Sequence, residues 1–83
     1  MTMTKAKRMN YIVAADVCRN MQRVFSEKAR RSGGAVRELW SHHASGAGSC
    51  ALELECLGGL TFDQIAARKR LRHAENTARG KER

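Results

Sequence analysis

An all-α fold is predicted for this chain: a small bundle of about four helices in one domain, with or without a helix-turn-helix at its C-terminal end. Three observations predict it. There is no proline in 83 residues, so nothing forbids long helices. Apolar residues recur with the 3.6-residue period of a helix instead of alternating as in a strand. Three breaks in that rhythm fall on glycine, at Gly33-Gly34, at Gly46 and Gly48, and at Gly58-Gly59, and glycine is the residue that leaves a helix with the least steric cost.

The first helix is expected over about residues 10–31, where Val13, Val17, Met21, Val24 and Phe25, flanked by Ala14 and Cys18, form one apolar stripe. Arg19, Arg23, Glu27 and Arg30 fall away from that stripe, which therefore marks the core face. Ser32-Gly33-Gly34 ends the helix. A shorter second helix is expected over about 35–44, with Val36, Leu39, Trp40 and His43 at i, i+3, i+4 and i+7. Ser45-Gly46-Ala47-Gly48 then reads as a flexible connector, and Ser49 as the cap of a third helix running through about Leu57. Gly58-Gly59 closes that helix. The fourth begins at a capping box in which Thr61 and Gln64 satisfy each other's backbone N–H groups, with Leu60 and Ile65 spaced as a hydrophobic staple. Its apolar rhythm slips near Lys69–Arg72, where a break is expected. Residues 1–9 read as a flexible basic arm, 10–67 as the helical core and 68–83 as a basic C-terminal segment.

Charge is segregated along the chain. Residues 1–32 carry +6, residues 33–67 carry −3 and residues 68–83 carry +5, within a total of +8. Two basic ends around an acidic middle suit a polyanionic partner. The alternative is that the cations merely keep a small protein soluble and that the last dozen residues are a solvated tail. A chain this short buries only about 60–65% of its unfolded surface, so homodimerisation is an expected supplement to its stability. No apolar run is long enough to span a membrane, and Asn10, Asp16 and Arg19 interrupt any signal-peptide core. A cytoplasmic location follows as the expectation.

Residues 59–79 carry a resemblance. Gly59-Leu60-Thr61-Phe62-Asp63-Gln64-Ile65-Ala66-Ala67-Arg68 resembles the first helix of a helix-turn-helix in the LuxR-type and sigma-factor region 4 families. Leu71-Arg72-His73-Ala74-Glu75-Asn76-Thr77-Ala78-Arg79 is similar to the turn and recognition helix that follow there. The resemblance implies that Thr77 and Ala78 stand in the recognition helix and that Asn76 and Arg79 face DNA. The alternative reading of the same residues is one continuous C-terminal helix with a basic end.

Either reading leaves a cationic helix, and a helix fits the major groove, where arginine takes guanine O6 and N7 and asparagine takes adenine N6 and N7. The candidate nucleic-acid-binding residues are Arg68, Lys69, Arg70, Arg72, Asn76, Thr77 and Arg79, with Lys5, Lys7 and Arg8 as phosphate contacts from the N-terminal arm. Few aromatics are available to stack bases, which disfavours single strands and RNA and leaves duplex DNA as the expected partner.

Other chemistries find less support. His42, His43, Cys50, Cys56 and His73 lack the paired spacing of a zinc site, and the three cysteines, Cys18 included, read as small reduced core residues. Glu53 and Glu55 sit on different helix faces, and no nucleophile has an evident activating histidine. The Gly46-Ala47-Gly48-Ser49 segment lacks the lysine of a phosphate-binding loop. No enzyme activity, cofactor or metal is expected. The expectation is a compact basic transcription regulator of the kind that suits a phage, plasmid or other mobile element. The alternative is an adaptor or inhibitor that turns the same basic surface on a host protein, such as a polymerase or a nucleic-acid-dependent defence complex.

Overall fold

The structure is a computed structural model that describes the backbone of residues 4–81 and the side chains of residues 4–78. Among the described residues it is all-helical, with three helices and no strand: α1 (Lys5–Arg30), α2 (Gly34–Leu57) and α3 (Phe62–Lys81). None is long and apolar enough to cross a membrane.

α1 starts earlier than its apolar stripe suggests. Thr4 is the N-cap, its Oγ1 accepting from the Lys7 N–H at 3.2 Å, and residues 5–9 contain good helix formers with no glycine or proline. Lys5, Lys7 and Arg8 therefore lie on the first turns of a helix and not on a flexible arm; residues 1–3 of that expected arm lie outside the described residues. At the other end, the Arg37 side chain reaches back from α2, donating from Nε to the Ala29 carbonyl at 3.1 Å and from Nη2 to that of Arg30 at 3.4 Å. These bonds cap the end of the helix, with the Ala29 carbonyl also accepting from the Ser32 N–H at 3.1 Å. The short connection makes α1 and α2 an antiparallel hairpin, packed along their length.

Residues 45–49 are not a connector. The expected second and third helices are one helix of 24 residues, with Gly46 and Gly48 inside it. A mid-helix glycine costs about 1 kcal/mol relative to alanine, so packing has to override propensity here. At Gly48 a Cβ would lie 2.6 Å from Gln22 Nε2, the tip of a side chain on the facing helix that would have to move aside. At Gly46 a Cβ would meet nothing within 4 Å.

The seam of the hairpin also differs from expectation. Ala15 and Ala29 of α1 and Ala44 and Ala51 of α2 are buried, whereas Val13 and Val17 of the anticipated core stripe are 57% and 59% exposed. Small side chains let the two backbones approach closely, and Arg19, expected on the outer face, turns into the seam. There it serves Glu55, the largest fully buried side chain. Arg19 donates to Glu55 Oε1 from Nη2 at 2.5 Å and from Nε at 3.1 Å, and a buried carboxylate needs such a partner. One cluster of larger side chains does bridge the hairpin: Phe25 stacks on Trp40 with centroids 5.7 Å apart, and His43 tilts against both. Cys50 and Cys56 are exposed and not core residues; all three cysteines are free.

α2 closes as the glycine pair predicts. The Gly59 N–H donates to the Cys56 carbonyl at 3.0 Å and the Leu60 N–H to that of Glu55 at 3.1 Å, with Gly59 in the left-handed region at φ 85°. This is the paired closure that favours glycine past a helix end. The capping box at the start of α3 also forms: the Thr61 N–H donates to Gln64 Oε1 at 2.8 Å and the Gln64 N–H to Thr61 Oγ1 at 3.2 Å. α3 then continues without interruption through Lys69–Arg72 and Leu71–Ala74, so neither the break nor the turn expected there is present. Leu71, out of phase with Ile65, simply points outward.

A candidate nucleic-acid interface between the first and third helices

Ile65, buried at 8% exposure, anchors α3 on the hairpin. Arg68 and Arg72 follow at i+3 and i+7 and share its face, so the helix carries two guanidinium groups inward behind one apolar contact. Arg68 Nη2 donates to Asp16 Oδ1. Its Nε stands 3.9 Å from Glu55 Oε2, near enough for attraction and too far for a hydrogen bond. Both of those atoms lack a hydrogen-bond partner. The result is a chain of charge, Asp16–Arg68–Glu55–Arg19, that ties all three helices together.

Beyond this chain α3 diverges from α1, and the gap is a cleft of about 670 Å³. Five cations line it, Arg19, Arg23, Arg68, Lys69 and Arg72, against Asp16 and Glu75, with amides from Asn20, Gln22 and Asn76. Burial pushes the Arg72 pKa down from its ordinary value, and the nearby Arg19 charge lowers it further, with Arg68 adding to this and Glu55 and Asp16 opposing. The direction reports chiefly the loss of water around this guanidinium, with the neighbouring charges acting both ways.

Several sequence-predicted residues meet here: Arg68, Lys69, Arg72 and Asn76 all line the cleft. Arg70 and Thr77 are exposed on α3 outside it, and the Thr77 hydroxyl donates to the His73 carbonyl at 2.9 Å. The Arg79 side chain lies outside the described residues. Lys5, Lys7 and Arg8 are exposed at the far end of α1, about 16 Å along the helix axis from Asp16 to Lys5 at 1.5 Å per residue. They are not brought to the cleft. Arg19, Arg23 and Asn20 of α1 were not candidates on sequence grounds. The one signal that could have found Arg19 is its place off the apolar stripe, facing a helix whose last turn carries Glu55.

No protein-family model, curated protein or solved structure matches the chain. The site must therefore be read from its own chemistry. Guanidinium groups and amides in this arrangement bind oxyanions, with arginine offering a planar, bidentate donor. Among the described residues no group of three His, Cys, Asp or Glu side chains is placed to hold a metal ion.

Proposed function

We propose that this chain is a small DNA-binding regulator that acts by occupying duplex DNA. In this reading α3 enters the major groove with Lys69, Arg70, His73, Asn76 and Thr77 on its exposed side, while Arg23 adds a phosphate contact from α1 and Arg19, held by Glu55, stays in the seam. The observation that carries the reading is the convergence of five cations from two helices on one cleft, opposed by two carboxylates. The exposed row on α3 supports it, because a helix needs a free face with amide and cationic side chains to reach base edges. Arg68 plays a different part from the one its sequence position suggests: held by Asp16 and Glu55, it positions α3.

The test is a fluorescence-anisotropy titration on random duplex at several salt concentrations, beside a pulldown from host lysate. Affinity should fall steeply with salt, with a slope reflecting on the order of four to seven phosphate contacts at ~0.9 each. Lys69→Ala and Arg23→Ala should each flatten the slope by about one unit. Absence of duplex binding at low salt, together with a stoichiometric host protein, would instead favour the adaptor reading.

A further inference from the structure

We propose that the cleft between α1 and α3 takes a pair of linked phosphate groups, gripped by Arg23 on one wall and by Arg72 and Lys69 on the other. The proposal deepens the reading of this cleft given above and rests on it for one source of the phosphates, a DNA strand. The other source with the same chemistry is a free polyphosphate such as a nucleotide.

The internal pairing of charges decides which cations are left for a ligand. Arg19 is held by Glu55 and Arg68 by Asp16. That leaves Arg23, Lys69 and Arg72 against Glu75 in the lining, three cations to one carboxylate. None of these four forms an ion pair among the described residues. The surplus is two positive charges, which two consecutive phosphodiesters or the two halves of a pyrophosphate can balance.

Arg72 is the strongest pointer. It is the one half-buried side chain of α3 past Arg68 among the described residues, and it donates no hydrogen bond to any of them, although a guanidinium carries five N–H donors. Its nitrogens are not among the buried atoms that lack a partner, so they open into the cleft that Arg72 lines. The attachment of α3 to the hairpin by hydrogen bonds and ion pairs ends at Arg68 among the described residues. An anion held by Arg72 and Arg23 would tie the unattached half of α3 to α1.

Both walls present donors. On α1 the Asn20 amide oxygen accepts from Arg23 Nη2 at 2.9 Å, which leaves the Asn20 NH₂ as a further donor beside that guanidinium. Asn76 adds an amide from α3. A phosphate carries oxygens on every side and can be held from two walls at once, whereas a carboxylate presents its two oxygens along one edge. Leu71 is the one apolar residue in the lining, and no Phe, Tyr or Trp stands there. The cleft therefore offers nothing on which to stack a base or seat an apolar peptide side chain. Its volume of about 670 Å³ lies within the ~300–1,000 Å³ of small-ligand sites.

The test uses the full chain, inorganic pyrophosphate as probe, and labelled random duplex in a parallel anisotropy assay. Pyrophosphate should bind saturably in isothermal titration calorimetry, with a dissociation constant at or below about 1 mM at low salt, and should raise amide-exchange protection over residues 69–78. Arg72→Gln and Arg23→Gln should each weaken it at least about fivefold. Arg23 is exposed, so its variant keeps the test decisive if Arg72→Gln loosens α3. Arg31→Gln removes an equal charge from an exposed residue outside the cleft and should change the affinity by less than about twofold. The two sources separate by competition. Displacement of duplex by pyrophosphate, beyond that by sodium chloride of equal ionic strength, assigns the cleft to a DNA strand. Arginine-dependent pyrophosphate binding without duplex binding or displacement assigns it to a free polyphosphate, and without any duplex binding it refutes the DNA reading alone. Duplex binding with no saturable pyrophosphate binding at about 10 mM would overturn the phosphate site and leave the DNA reading standing. Pyrophosphate binding that is indifferent to both arginine variants, or citrate binding as tightly, would also overturn it.

Discussion

Arg19→Met should be among the most destabilising single substitutions in this chain. Glu55 is fully buried, and Arg19 supplies both hydrogen bonds to its Oε1, at 2.5 and 3.1 Å. Without Arg19 the only other cation within ion-pair reach among the described residues is Arg68, 3.9 Å from Oε2 and already engaged by Asp16. At an effective dielectric of about 20 that attraction is worth about 4 kcal/mol before desolvation is counted, and Arg68 must divide it between two carboxylates. Removing one partner of a buried pair costs about 3–5 kcal/mol. A chain of this length has a total stability of about 4–12 kcal/mol, so the variant should be close to unfolding. Urea denaturation followed by far-UV circular dichroism should show the midpoint falling by at least about 1 M for a slope of about 1–3 kcal/mol/M. Arg19→Met combined with Glu55→Leu should recover much of the loss, because an apolar pair of similar volume leaves no orphaned charge. A cost below about 1 kcal/mol for the single variant would refute the burial and pairing of Glu55.

Two further outcomes follow from the packing. Ile65→Asp places a carboxylate at the one buried apolar side chain of α3 among the described residues and should cost several kcal/mol, read as loss of hydrogen-exchange protection over residues 62–72. Unchanged protection there would mean that Ile65 does not anchor the helix. Gly58→Ala should destabilise by about 1–3 kcal/mol in thermal melts despite the ordinary φ of this residue. The added Cβ would fall 2.7 Å from Ile12 Cγ1 and 3.3 Å from the Arg8 carbonyl oxygen, and a melt at or above the parent's would show that the turn does not press on α1.

By itself the sequence determined the helical class and the local punctuation. The lack of proline and the 3.6-residue period required helices, and the Thr61–Gln64 box and the Gly58-Gly59 closure formed as read, because each is settled by hydrogen bonds among residues close in the chain. Glycine was a less dependable signal inside α2. Gly46 and Gly48 look like a loop to propensity alone, yet both stand inside α2 where it packs along α1. Tertiary structure alone decided which face of α1 is inside. Val13, Val17 and Met21 form one periodic row, but Ala15, Gln22 and Ala29 form another at heptad spacing, and hydrophobicity weighs large side chains over the small ones that let backbones approach. The candidate cleft was half legible for a related reason. Periodicity placed Arg68 and Arg72 on one stripe, yet the carboxylates that turn that stripe inward, Asp16 and Glu55, lie 52 residues from Arg68 and 36 from Arg19. A charge pattern gives each segment's sign, while the pairing of charges far apart in sequence depends on which helices meet.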